Sequence, residues 1–144
     1  MERAVLIACT MNAVRSPMAA AMLRHLAGQR LHVESAGVRA GELDPLAVAA
    51  MEEIGLEIGQ HRPRCFEDLE DGSFDLVITL SPEAQHKAME LTRTAATLVE
   101  YWPTQDPTAV DGSREQRLLA YRAVRDQLME RLKQRFMARS AADT

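Results

Sequence analysis

The chain has 144 residues, 47% of them hydrophobic and 26% charged, which suits one ordinary domain with a single core and is too short for two. Its net charge of −4 supplies no basic field for nucleic acid, and no apolar run approaches the roughly 20 residues of a membrane helix. With no secretory signal read before the first apolar stretch, and two cysteines too few for a disulfide framework, the expectation is a cytoplasmic protein with reduced thiols and with neither nucleic acid nor membrane as partner.

Residues Ala4 to Ala8 are apolar, with β-branched Val5 and Ile7, the pattern of a strand buried on both faces of a parallel sheet. Cys9 then falls at the strand's carboxyl end. Ser16-Pro17 offers a cap residue and a proline tolerated in a first helical turn, and the helix MAAAMLRHLAG stops at Gly28. Leu31 to Ser35 reads as a second strand, closed by Ser-Ala-Gly, where glycine permits a turn. Asp44-Pro45 opens a helix with apolar Leu46, Ala49, Ala50 and Ile54, stopped by Gly55, and PRCFEDLED adds a helical turn. Phe74 to Leu80 is a third strand, Ser81-Pro82 caps a helix to about Leu91, and Ala96 to Val99 is a short fourth strand. After Asp111-Gly112-Ser113 a long amphipathic helix carries Leu118, Tyr121, Val124, Leu128, Leu132 and Phe136 at spacings of three and four, a core stripe.

Strand and helix in alternation predict an α/β fold: a doubly wound sheet of about four parallel strands with helices on both faces, one domain over residues 1–139 and a frayed tail over 140–144. Ligands of such folds bind at the carboxyl ends of strands, where the Cys9 loop lies. The cations are nearly all arginine, Lys87 and Lys133 being the only lysines, and most are expected on a solvated surface.

The stretch from Cys9 to Ser16 concentrates the chemistry. A short loop feeding a helix amino terminus turns backbone N–H groups inward and adds the positive end of the helix dipole, which makes a nest for an oxyanion. Arg15 at the loop's end can grip two oxygens at once. Such a field favours a thiolate, and the Ser16 hydroxyl is placed to donate to the Cys9 sulfur. Thr10, Met11, Asn12, Ala13, Val14, Arg15 and Ser16 are therefore the candidate oxyanion-binding residues. A lone cysteine after an apolar strand also reads as a small buried hydrophobe; the joined loop favours the nucleophile. Cys65 has no such loop and reads as an ordinary thiol.

The run CTMNAVRSP resembles the Cys-x5-Arg-Ser-Pro phosphate loop of the low-molecular-weight protein tyrosine phosphatases and of their relatives, the thioredoxin-coupled arsenate reductases. The resemblance extends through ESAGV (34–38), DPLAVAAMEEIGLEIGQHRPR (44–64), FDLVITL (74–80) and Asp106-Pro107. It implies that Cys9 is the nucleophile, Arg15 the clamp and Asp106 the general acid, with Asp111 close enough to compete. It further implies that Asn12 holds the loop's shape while Ser35 and His61 hydrogen-bond to it, although by residue type His61 equally reads as a surface or satisfied histidine. Two departures bear on substrate. Thr108 follows Pro107 where phosphotyrosine-directed members carry tyrosine, and RAGEL (39–43) lacks their aromatic residue, which leaves Tyr101 or Trp102 as a wall from another direction.

The chemistry expected is a metal-free phosphomonoesterase working through phosphocysteine, by default on protein phosphotyrosine, with a phosphorylated protein or small phosphate ester as partner. No cofactor is expected, because arginine and amides supply the positive charge, and His25, His32 and His86 show no ligand spacing. Phosphate, vanadate and arsenate are the expected oxyanion ligands. Two alternatives stay open. One is an arsenate reductase using an external small thiol or Cys65, since Ser81 to Leu91 contains none of the relay cysteines of thioredoxin-coupled members. The other is a non-catalytic phosphate-binding regulatory module.

Overall fold

The structure, a computed structural model, describes residues 2–69, 73–93 and 96–137; the tail expected at 140–144 and the end of the PRCFEDLED turn lie outside the described residues. Four strands, β1 (Ala4–Cys9), β2 (His32–Gly37), β3 (Leu76–Thr79) and β4 (Leu98–Tyr101), form one sheet in the order β2-β1-β3-β4. All three pairings are parallel. The helices are α1 (Arg15–Ala27), α2 (Pro45–Glu52), α3 (Pro82–Leu91) and α4 (Arg114–Phe136). No described helix is long and apolar enough to cross a membrane.

Alternation along β1 decides what covers each face. Val5, Ile7 and Cys9 point into a core completed by α1, α2 and α4, while Leu6 and Ala8 point into a smaller one with Phe66, Ala84 and Ala88. Each such branched side chain, fully buried, contributes about 1.5–3 kcal/mol. The stripe on α4 behaves as expected, with Leu118, Tyr121, Val124, Leu128 and Leu132 buried. Ser113 opens that helix with a capping box closed by Gln116, and Asp44 and Ser81 cap α2 and α3.

Several boundaries differ from the sequence reading for identifiable reasons. Helix α1 begins at Arg15, with Val14 rather than Ser16 at the cap position, because the Ser16 hydroxyl is engaged elsewhere. The fourth strand sits at 98–101 instead of 96–99: register with β3 pairs Leu76 with Leu98 and Thr79 with Tyr101, and the edge position leaves the strand half exposed, so its apolar run is a poor guide. Helix α2 stops at Glu52, and Ile54 is exposed. Not all arginines are solvated, either. Arg125 is buried and donates to the Ala50 carbonyl and to Glu53, tying α4 to α2.

The connection from β1 to β2 leaves on one side of β1 and that from β2 returns to β3 on the other, so the crevice beyond the carboxyl ends of β1 and β3 is the switch point at which ligands bind in doubly wound sheets. Gly37, at the end of β2, lies against this crevice. It is expected at a turn, yet it pairs with Cys9 in the ladder, and its role is close approach. A Cβ there would lie 2.6 Å from the Arg39 carbonyl oxygen, 2.7 Å from the Asn12 nitrogen and 2.8 Å from the Thr10 carbonyl oxygen, all backbone atoms. Gly37→Ala should therefore cost about 1–3 kcal/mol of stability, measured by denaturant unfolding, and weaken vanadate binding by displacing the loop after Cys9. Unchanged stability and binding would contradict this reading.

Candidate active site

The loop after β1 is shaped by where its carbonyls go. The Cys9, Thr10 and Met11 oxygens accept from the backbone N–H groups of Val38, Arg39 and Gly41 at 3.2, 2.9 and 2.8 Å. The Asn12 oxygen lies 3.2 Å from His61 Nε2, the Ala13 oxygen accepts from the Asp44 N–H at 3.2 Å, and the Val14 oxygen accepts from Met18 at 3.1 Å. Six consecutive carbonyls are thus drawn outward. Among the described residues, the N–H groups of Met11 to Val14 have no hydrogen-bond acceptor and stand at the head of α1. Free amides beside a helix amino terminus are the donor set an oxyanion nest requires, and here chain segments with no sequence signature of their own hold the carbonyls between them.

Asn12 locks the arrangement from behind. It is fully buried at φ 54°, the only non-glycine residue of positive φ among those described, a conformation that asparagine tolerates better than most. Its Nδ2 donates to Ser16 Oγ at 2.8 Å and to Ser35 Oγ at 3.0 Å, and its Oδ1 accepts from the Arg64 N–H and from His61 Nε2, both at 3.0 Å. Two acceptors on Asn12 thus face His61 Nε2, which makes that nitrogen the proton carrier. Burial pushes the His61 pKa below its ordinary value, assisted by the charges of Arg24 and Arg64, against the pull of the Asn12 carbonyl. Because Ser16 Oγ accepts from Asn12, its own proton is available to the Cys9 sulfur, 3.0 Å away.

A cavity of about 360 Å³ opens over this loop, lined by Cys9, Thr10, Met11, Ala13, Val14 and Arg15 and walled by Arg39, Gly41, Glu42, Asp44, Glu83, Asp106 and Thr108. Asn12 and Ser16 stand behind the lining, and Ser35 and His61 back the loop without reaching the cavity. The buried Arg15 guanidinium donates to the Thr104 carbonyl at 2.9 Å, linking the loop to the segment that carries Asp106. Asp106 caps a 3-10 turn over Pro107–Ala109, its Oδ1 accepting from the N–H and the hydroxyl of Thr108 at 3.0 and 2.7 Å. Asp111 does not line the cavity. Neither does Tyr101 or Trp102: the indole is buried, donates to Glu100 and stacks under Arg131, so the expected aromatic wall is absent from the cavity lining.

The walls hold residues that sequence reasoning missed. Asp44 caps α2 with Oδ1 and accepts from the buried Tyr121 hydroxyl with Oδ2 at 2.5 Å; burial, then this bond, raises the Tyr121 pKa well above its usual value. The Thr10 hydroxyl lies 3.0 Å from Ser81 Oγ and 3.3 Å from Glu83 Oε1, and Arg39 pairs with Glu83. Cys65 lies away from the cavity. Its backbone bridges Gly37, which in turn pairs with Cys9, so the two cysteines are separated by two strand spacings, roughly 9–10 Å. A disulfide needs Cα atoms within about 7 Å.

Comparison with known proteins places these features in a lineage. The chain is 34% identical over 133 residues to an arsenate reductase of Shouchella clausii, covering 92% of this chain and 94% of that protein. Among solved structures, an arsenate reductase in its phosphate-binding state superposes with a TM-score of 0.71 at 27% identity, covering 92% of this chain and 95% of the other. YwlE arginine phosphatase, solved as a cysteine-to-serine mutant with a phosphorylated active-site serine, gives a TM-score of 0.73 at 27% identity, covering 91% of both chains. The family model for low molecular weight phosphotyrosine protein phosphatase matches residues 4–143, and the chain belongs to that family.

Proposed function

We propose that the protein is a metal-free phosphatase that works through a phosphocysteine at Cys9. The observation that carries this reading is the set of outward-tied carbonyls, which leaves a ring of amide donors around a buried thiol. In the first step the Cys9 sulfur attacks phosphorus, the S–P bond forms, the bond to the leaving group breaks, and Asp106 gives its proton to the departing atom. Arg15 and the loop amides hold the developing charge on the equatorial oxygens. In the second step water attacks phosphorus, gives a proton to the Asp106 carboxylate, and the S–P bond breaks to release phosphate and regenerate the thiolate. Asn12, Ser35 and His61 act by holding the loop.

The wall composition argues for a leaving group other than a tyrosine ring. Among the described residues no aromatic side chain lines the cavity, whereas Glu42, Asp44 and Glu83 do, Glu83 paired with Arg39. Carboxylates suit a cationic leaving group, and phosphoarginine fits these walls better than phosphotyrosine, a class in keeping with the arginine phosphatase name of YwlE. A small phosphate ester with a polar leaving group fits the same space.

The second reading, an arsenate reductase, is favoured by the names of relatives such as the Shouchella clausii protein. With Cys65 two strands away, this chemistry would need an external small thiol to release arsenite from Cys9.

A panel assay separates these readings: phosphate release from para-nitrophenyl phosphate, a phosphotyrosine peptide and phosphoarginine, beside arsenite formation from arsenate with glutathione. Vanadate-sensitive phosphate release is expected, and arsenite formation without phosphate release would replace the phosphatase reading with the reductase one. Cys9→Ser should reduce phosphate release to background while preserving vanadate binding. Asp106→Asn should lower kcat by about 10²–10⁴-fold with little change in KM; an unaffected Asp106→Asn would move the acid role to Asp44, the other aspartate on the cavity wall. For His61, whose folded-state pKa lies below 6.5, the unfolded chain takes up the proton first. Stability should therefore be full above pH 6.5 and fall as pH drops through the lowered folded value, and His61→Gln should flatten that part of the Tm–pH curve. An identical slope in both proteins would contradict the buried neutral imidazole.

A further inference from the structure

Behind the phosphate loop lies a second cavity of about 360 Å³, lined by Arg24, Ser35, Gln60, His61, Arg62, Pro63 and Arg64. Among the described residues no carboxylate lines it. Two of its arginines are held in place by β2, the edge strand of the sheet: Arg24 Nε and Nη2 donate to the Val33 carbonyl at 3.1 and 2.8 Å, and Arg64 Nε donates to the Ser35 carbonyl at 3.1 Å. Glu34 pairs with Arg64 from outside the lining. Arg62 makes no hydrogen bond or ion pair among the described residues. The cavity therefore gathers three guanidinium groups against one nearby carboxylate. Burial lowers the Arg24 and His61 pKa values first; the Glu34 charge pulls Arg24 and the Asn12 carbonyl pulls His61 the other way, and the Arg64 charge lowers both.

Covering two edge-strand carbonyls accounts for one side of Arg24 and of Arg64. It does not account for Arg62, or for cations crowded round an open space. An anion in that space would offset the gathered positive charge and find the unengaged Arg62 guanidinium beside the free Nη1 groups of Arg24 and Arg64, whose planes the sheet already fixes. Two of the lining residues, His61 and Arg64, also hold Asn12 Oδ1 from behind.

We propose that this cavity is a second anion site, for a small free phosphate-class anion, and that its occupancy is read by the phosphate loop through His61, Arg64 and Asn12. Binding itself is independent of the phosphatase reading; only the effect on turnover rests on it. Inorganic pyrophosphate serves as the probe, titrated by calorimetry into wild type, Arg15→Ala and Arg62→Glu. Arg62 is exposed and unpaired among the described residues, so its replacement leaves the fold intact. Wild type should bind at two sites, Arg15→Ala should keep the Arg62-dependent site, and Arg62→Glu should lose that site while keeping the one displaced by vanadate. On para-nitrophenyl phosphate turnover, pyrophosphate should change kcat in wild type and act as a purely competitive inhibitor of Arg62→Glu. A single site in wild type, pyrophosphate binding that Arg62→Glu leaves intact, or purely competitive behaviour in both proteins would overturn the proposal.

Discussion

The site depends on the direction of six carbonyl groups. From Cys9 to Val14 each backbone oxygen is taken by a donor outside the loop, supplied by the segment after β2 from Val38 to Gly41, by His61, by the cap of α2 and by the first turn of α1. A peptide plane with its oxygen tied outward has its N–H pointing the other way. The anion cradle is thus a consequence of contacts made on its far side, and residues that never meet an anion set its shape.

Asn12 shows the energetic balance. A non-glycine residue in the left-handed region costs on the order of 1–3 kcal/mol, and Asn12 persists there because four side-chain hydrogen bonds, each contributing about 0.5–1.5 kcal/mol net, hold it. The same hub relays position to the sulfur through Ser16. Arg15 connects the loop to the opposite wall by way of Thr104, so the loop that begins at Cys9 is joined to the segment carrying Asp106. Among the described residues the cavity wall carries Glu42, Asp44 and Glu83 and no aromatic ring, which is the basis of the substrate class proposed above.

Much of this was legible in the sequence because local rules carry it. Apolar runs in alternation with 3.6-residue periodicity disclosed the doubly wound sheet, and the helix starts at Asp44 and Ser81 are short-range signals that the structure bears out. The Cys9 to Arg15 loop was readable for the same reason. What escaped was long-range. The backbone donors at Arg39 and Gly41 are invisible in residue identity, Asp44 reads only as a cap until Tyr121 reaches it across 77 positions, and Trp102 was an available wall until packing buried it. The fourth strand shifted by two residues because its register is set by β3 and not by its own hydrophobicity.

The central claim, that Cys9 carries the phosphoryl group between substrate and water, is tested most directly by quenching the reaction with para-nitrophenyl phosphate in its first turnover and locating phosphate on the chain by mass spectrometry. The account predicts a burst of nitrophenol stoichiometric with enzyme and a phosphate adduct on Cys9 alone. Linear nitrophenol release with no adduct, or an adduct on any other residue, would contradict it.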